Sequence, residues 1–291
     1  MAKVHVVGVG KMGLPMAVHL HKGGHSVTVD DPADSRLELA MQARLGVARG
    51  AAGLQQADVV LSSLPDDAAL LQVGECLARD ARAGTIYVDT STVSLQASSQ
   101  VAQRLQAAGV AYLRTTVSGN NKMAEAAQLT VMASGPRATY DAVLPLLQLL
   151  GPSAFWLGEG EQARLMKLVV NLMIAQTSAM LSEALALGRK GGLQWQDMWS
   201  VLASSAVGSP IVKAKAVQLS QRDFTPTFTV EQMIKDLGLI VGQAEASHVP
   251  VPQTAATLQL MHAAVAQGFG QDDYAAIIKA VESAAGLEGN P

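Results

Sequence analysis

Residues 3–31 restrict the possible folds of this chain more than any other stretch. Lys3–Gly8 reads KVHVVG, a short apolar strand that runs directly into Gly8-Val9-Gly10-Lys11-Met12-Gly13. A helical pattern, LPMAVHLHKGG, follows and is halted by Gly23-Gly24. His25–Asp31 (HSVTVDD) then reads as a second strand ending in acid. Strand, G-x-G-x-x-G, helix, strand and acid, in that order, form the dinucleotide-binding fingerprint with its context intact. Gly8 makes the tight turn, Gly10 lets backbone approach a pyrophosphate, and Gly13 packs the helix against the strand. The amides of the Gly8–Gly13 loop and the helix N-terminus can then receive phosphate oxygens. Either Asp30 or Asp31 lies at the spacing of a ribose-binding acid, and Asp31 is favoured. Pro32 follows, with no arginine where a 2′-phosphate would need one. A carboxylate beside that phosphate would cost roughly 1–4 kcal/mol per charge pair, so the expected cofactor is NAD rather than NADP.

Strand patterns recur at Asp58–Leu64, Thr85–Asp89, Val110–Arg114, Leu129–Ser134 and Ala154–Leu157, with helical patterns between the first few, notably Leu95–Ala108. Such alternation predicts a mainly parallel sheet covered on both faces. After Gly160 the strand pattern stops. The expected fold is therefore α/β, a Rossmann-type doubly wound sheet over residues 1–161 followed by an all-α domain over 162–291. The second part opens with Gln162–Gly188, about 40 Å of helix without proline or internal glycine. Leu165, Leu168, Val169, Leu172 and Met173 recur at helical spacing and predict a core face. Lys167 and Asn171 sit one turn apart, with Ala175, Ser178 and Ser182 continuing their stripe. Further helices are expected at Trp195–Ala203, Ile211–Leu219, Val230–Ser247, Gln253–Gln267 and Asp273–Ala284, and a frayed tail at Gly286–Pro291.

Net charge is −3 over 291 residues, which offers no footprint for nucleic acid or an anionic membrane. No uninterrupted apolar run approaches the ~18 residues that span a bilayer, and no export signal is evident at the start. Cys76 is the single cysteine, so no internal disulfide can form and a cytoplasmic location is expected. His5, His19, His21 and His25 lack metal-ligand spacing, and no metal is expected.

Five stretches carry a resemblance. GVGKMGLPMA at Gly8–Ala17, DTSTV at Asp89–Val93 and MKLVVN at Met166–Asn171, joined by VSG at Val117–Gly119 and KDL at Lys235–Leu237, resemble the β-hydroxyacid dehydrogenases. That group includes 3-hydroxyisobutyrate dehydrogenase and the glyoxylate/succinic semialdehyde reductases and is related to 6-phosphogluconate dehydrogenase. The resemblance implies that Lys167 is the catalytic lysine, with Asn171 holding it and the substrate. It implies that Thr92, Leu64, Pro65 and Lys235 lie at the cofactor, and that Ser118 and Gly119 grip a substrate carboxylate. Phe228 and Asp236 match active-site positions of the glyoxylate reductase branch. The expected reaction is reversible NAD-linked oxidation of a small carboxylate-bearing β-hydroxyacid to its semialdehyde or keto acid, by a homodimer or homotetramer. Chemistry independently suits a lysine, which can take the alcohol proton in one direction and return it in the other.

This chain departs from the family loop, where a proline becomes Thr116, the second glycine Asn120, and later glycines Met123 and Ala127. Asn120 or Asn121 could add amides to a substrate pocket, or serve as turn residues tolerating positive φ. Three rival readings are an imine reductase, disfavoured by Lys167; 6-phosphogluconate dehydrogenase, which needs a longer helical domain; and an inactive NAD-binding scaffold.

Overall fold

The structure, a computed structural model, describes residues 1–287; positions 288–291 of the expected frayed tail lie outside the described residues. The chain divides into two compact units, Met1–Lys167 and a second beginning at Leu168.

The first unit runs β1 (Lys3–Val7), α1 (Gly13–Lys22), β2 (Ser26–Asp30), α2 (Asp34–Gln42), β3 (Gly46–Val47), α3 (Ala51–Gln56), β4 (Val59–Ser62), α4 (Asp67–Asp80), β5 (Ile86–Asp89), α5 (Leu95–Ala107), β6 (Ala111–Ser118), α6 (Asn121–Glu125), β7 (Thr130–Ser134), α7 (Arg137–Leu147) and β8 (Ser153–Trp156). The strands form one sheet in the order β3-β2-β1-β4-β5-β6-β7-β8. All neighbours are parallel except β6 and β7. Strands such as β4, VVLS, are buried along their length, because helices cover both faces of a parallel sheet. One face packs Val4, Val6 and Val29 against Met16 and Leu20 of α1 and Val143 of α7. The other packs Val60 and Tyr87 against Leu70 and Leu77 of α4 and Val101 of α5. Side-chain caps begin several helices: Asp66 accepts from Ala69 N–H at α4, and Ser94 from Ala97 N–H at α5. Such caps satisfy amides that a helix start leaves without partners.

The long helix α8 (Gln162–Lys190) opens inside the first unit and continues into the second. After it come α9 (Trp195–Ser204), α10 (Pro210–Leu219), α11 (Val230–Ala246), α12 (Pro252–Ala266) and, through a 3-10 turn at Tyr274–Ala276, α13 (Ile277–Ala284). Trp195 and Trp199 are buried edge to face, 5.9 Å between centroids. Thr229 starts α11 with a reciprocal capping box to Gln232. Within the expected frayed tail, Gly286 (φ 63°) and Leu287 instead end α13 in an ordered turn, donating to Ser283 O and Glu282 O.

The face of α8 that packs inward is not the one its large side chains predict. Leu168 is buried, but Leu165 and Val169 are each 44% exposed and Met173 is 65% exposed. The buried residues are Ala163, Arg164, Leu168, Asn171, Ala175, Ser178, Ala179, Leu181, Ser182, Leu185 and Ala186, most of them small or polar. Small side chains allow close helix approach, and the polar ones find partners. By length and composition α8 is long and apolar enough to cross a membrane. Its buried, hydrogen-bonded polar stripe is instead what the core helix of a globular unit carries.

Candidate active site

The glycine loop between β1 and α1 is shaped by backbone contact. At Gly8, φ is +85° and a Cβ would lie 2.4 Å from Ser63 O, while a Cβ on Gly13 would lie 1.9 Å from Gly8 O. A Cβ on Gly10 would meet nothing within 4 Å. The loop therefore folds tightly at its ends and leaves open space above its middle. Met12 gives α1 no side-chain cap and the first turn has no acid; Leu14 N–H is taken by Gly10 O and Pro15 has no N–H, which leaves the amides of Lys11, Met12 and Gly13 and the partial positive charge for an anion. This donor set fits a dinucleotide pyrophosphate. Asp31 Oδ2 accepts from Val9 N–H at 2.8 Å and Oδ1 from Ala33 N–H at 2.9 Å, which pins the acid to the loop. Asp30 instead accepts from Gly50 N–H. Sequence reasoning missed Arg36 of α2, which lines a cavity of about 360 Å³ together with Gly10, Lys11, His19 and Lys22.

At the carboxyl end of β5 a buried charge network joins five segments, β4, β5, α5, β6 and α8, with the loops that follow the first two. Asp89 pairs with Arg164 of α8, and both side chains are shielded from solvent. Asp89 Oδ1 also accepts from Ser62 Oγ (2.6 Å) and Ser91 Oγ (2.5 Å). Ser91 Oγ in turn accepts from Leu64 N–H at 2.8 Å. Arg164 donates to Ser91 O (2.6 Å), to Tyr112 Oη (2.8 Å) and to Ser98 Oγ. Burial disfavours the guanidinium charge, but Tyr112 and Asp89 outweigh it and its pKa is raised. Burial also raises the pKa values of the Tyr87 and Tyr112 phenols. The legible signal was an arginine in the first turn of an apolar helix and an aspartate ending a buried strand, since buried charges need partners.

Two more contacts tie the start of α8 to β6. Arg114 donates to Glu161 (2.6 and 2.8 Å), and Thr116 Oγ1 to Ala163 O (2.9 Å). Thr116, which replaces the family's proline, thus gains a bond that proline could not make. Lys167 Nζ donates to Val117 O at 2.8 Å. The segment expected as a carboxylate-gripping loop differs in form, because Thr115–Ser118 extend β6 and pair with β7. Ser118 closes that strand, and Gly119 (φ +139°) makes the turn. Asn120 has φ −99° and caps α6, its side chain accepting from Met123 N–H, so the positive-φ alternative does not hold for it. The positive-φ residue is Ala127, at φ 52°.

In the second unit Asn171 Nδ2 donates to Asp236 Oδ2 at 2.5 Å, and Asp236 is buried. Lys235 Nζ lies 3.0 Å from Asp236 Oδ1, yet that oxygen has no aligned hydrogen bond; the contact is an ion pair between neighbouring residues. Phe228 sits just before α11, where its carbonyl accepts from Tyr274 N–H and its ring meets Tyr274 edge-on. Buried Asp273 holds this loop through Thr227 and pairs with Lys215 at 2.5 Å.

Residues 3–158 match the family model for the NAD binding domain of 6-phosphogluconate dehydrogenase. Residues 161–281 match that for the NAD-binding region of NADP-dependent 3-hydroxyisobutyrate dehydrogenase. The chain is 31% identical to 2-(hydroxymethyl)glutarate dehydrogenase of Eubacterium barkeri, covering 98% of this chain and 96% of that protein. It belongs to the β-hydroxyacid dehydrogenase family. Glyoxylate/succinic semialdehyde reductase 1 of Arabidopsis thaliana is 28% identical, over 96% of this chain and 98% of the relative. The crystal structure of 3-hydroxyisobutyrate dehydrogenase from Salmonella typhimurium superposes with a TM-score of 0.88 at 25% identity, covering 96% of this chain and 99% of that one. This β-hydroxyacid dehydrogenase is accordingly an NAD(P)-linked oxidoreductase acting on a CH–OH group.

Proposed function

We propose that the enzyme oxidises a small 3-hydroxyisobutyrate-like hydroxyacid reversibly, with Lys167 as general acid and base. The observation that supports this reading is the bond from Lys167 Nζ to Val117 O, the residue before Ser118. Bound NAD(P) supplies the hydride acceptor or donor. Lys167 takes the proton from the alcohol oxygen in oxidation and returns it in reduction, when its ammonium also stabilises the developing alkoxide. Ser118 and Gly119 offer backbone amides to a substrate carboxylate. Thr92, Leu64 and Pro65 line the nicotinamide. Lys167→Ala should lower kcat by ~10²–10⁴. The assay uses a panel of 3-hydroxyisobutyrate, glycerate, serine, threonate, 4-hydroxybutyrate and glyoxylate. Unchanged turnover would make the lysine a bystander. Reduction of glyoxylate or succinic semialdehyde is the second reading, favoured by AEAAQL at Ala124–Leu129, which resembles that branch.

Asp31 supports NAD as the working cofactor, whereas Arg36 and Lys11 beside Gly10 are cations that a 2′-phosphate could use. A higher kcat/KM with NADP would reverse the assignment. The exposed residues Val169, Met173, Met180 and Leu187 of α8 fall within about 40° of one another around the helix. A second copy of the chain would cover such a stripe, and light scattering at the mass of one chain would remove the dimer. A lone cysteine suits a cytoplasmic setting, which cell fractionation would check.

A further inference from the structure

Building on the assignment of Lys167 above, we infer that Asp89, Ser91 and Arg164 are positioning residues. They set the register between the amine-bearing turn of α8 and the two segments, Leu64-Pro65 and the one that carries Thr92, that are assigned to the nicotinamide. Stability alone is a poor reason for this network. A buried ion pair is commonly no more stabilising than apolar residues of the same volume, and its best use is to select one arrangement among several. Here it selects a particular one. Ser91 Oγ is the shared atom, donating to Asp89 Oδ1 at 2.5 Å while accepting from Leu64 N–H at 2.8 Å. Arg164 grips the same stretch twice, through the Asp89 carboxylate and through Ser91 O. Arg164 is three residues before Lys167, a neighbour on the helix surface.

From its other side the same turn is held by β6. Thr116 bonds Ala163 O, Arg114 bonds Glu161, and Lys167 itself bonds Val117 O. A rotation of α8 that moved the amine would therefore have to break the Arg164 contacts, and so disturb Leu64 and Ser91. Catalysis is sensitive to such shifts, since a displacement near 1 Å at reacting groups can cost on the order of a hundredfold.

Ser91→Ala is the decisive variant because it leaves the Asp89–Arg164 pair in place. In the cofactor-free protein the Leu64 amide should exchange with solvent at least about tenfold faster, since its buried acceptor is gone. With the best substrate of the panel, kcat should fall about 10–100-fold. NADH affinity should stay within about threefold, because the pyrophosphate cradle is untouched. The fluorescence lifetime of bound NADH should move toward that of the free coenzyme, a readout that needs no substrate. Arg164→Lys, which keeps the Ser91 acceptor, should lower kcat and shift the bound-NADH lifetime in the same directions. An unchanged Leu64 exchange rate and NADH lifetime would overturn the proposal. So would a loss of kcat matched by equal losses of NADH affinity and melting temperature. Lys167→Ala separates the two readings: full turnover there beside slow Ser91→Ala would refute the acid–base role and leave the frame standing.

Discussion

Gly10 and Gly13 lie three residues apart in one loop, and the structure makes opposite demands of them. At Gly13 an added methyl would sit 1.9 Å from Gly8 O and 3.0 Å from Gly8 C. Both are backbone atoms, so α1 must move away from β1. Overpacking of this kind costs about 1–3 kcal/mol, and 1 kcal/mol shifts the melting temperature of a 150–250-residue domain by about 2–4 °C. Gly13→Ala should therefore melt roughly 2–12 °C lower, with or without coenzyme. Gly10 has no atom within 4 Å of its ideal Cβ and no positive φ. Gly10→Ala should leave the cofactor-free protein as stable, or about 0.4–1 kcal/mol more stable through a less flexible unfolded chain. Its methyl would, however, occupy the space assigned to the pyrophosphate. NADH affinity should fall at least about tenfold, or 1.4 kcal/mol. Differential scanning calorimetry of both free proteins, with NADH titrations by fluorescence, separates the effects. If Gly10→Ala binds NADH like the parent, the open space above the loop is not where the phosphates lie. If Gly13→Ala melts unchanged, the steric reasoning fails as well.

Ala127 holds φ 52° at the end of α6, a position that favours glycine. Left-handed backbone costs a non-glycine residue roughly 1–2 kcal/mol, partly offset by glycine's greater unfolded-state entropy. Ala127→Gly should stabilise by about 0.5–1 kcal/mol, and a melting temperature below the parent's would show that the turn is not strained. His5 is buried, mainly desolvated, and its pKa is lowered despite the opposing charge of Asp30. The unfolded chain then takes up the proton first. Stability should be complete above about pH 6.5 and fall as pH drops toward the folded-state value, by at most about 1.4 kcal/mol per pH unit. His5→Phe should flatten that part of a melting-temperature profile, and an unaltered slope would assign the loss to other groups.

The dinucleotide cradle and the change from alternating strands to helices were legible in the residue order, because both depend on contacts within a few residues. Gly8, Gly10 and Gly13 act on one another's backbone, and the strand and helix periods declare themselves over short windows. The resemblance added Lys167, which does lie against the strand carrying Ser118. The inward side of α8 was misread because bulk apolarity pointed to Leu165, Val169 and Met173, whereas packing favoured the small and hydrogen-bonded residues. Asn120 reads from sequence as a binding or turn residue. Only the start of α6 right after it makes it a cap. Asp89 and Arg164 are separated by 75 positions, and no periodicity links them. Their pairing exists because β5 ends where α8 begins, and two charges that cannot reach water there must neutralise each other. Local patterns in a chain report what each segment becomes; which buried polar groups meet is settled by the assembled sheet and helices, since distance in space, not along the chain, governs both Coulomb attraction and close packing.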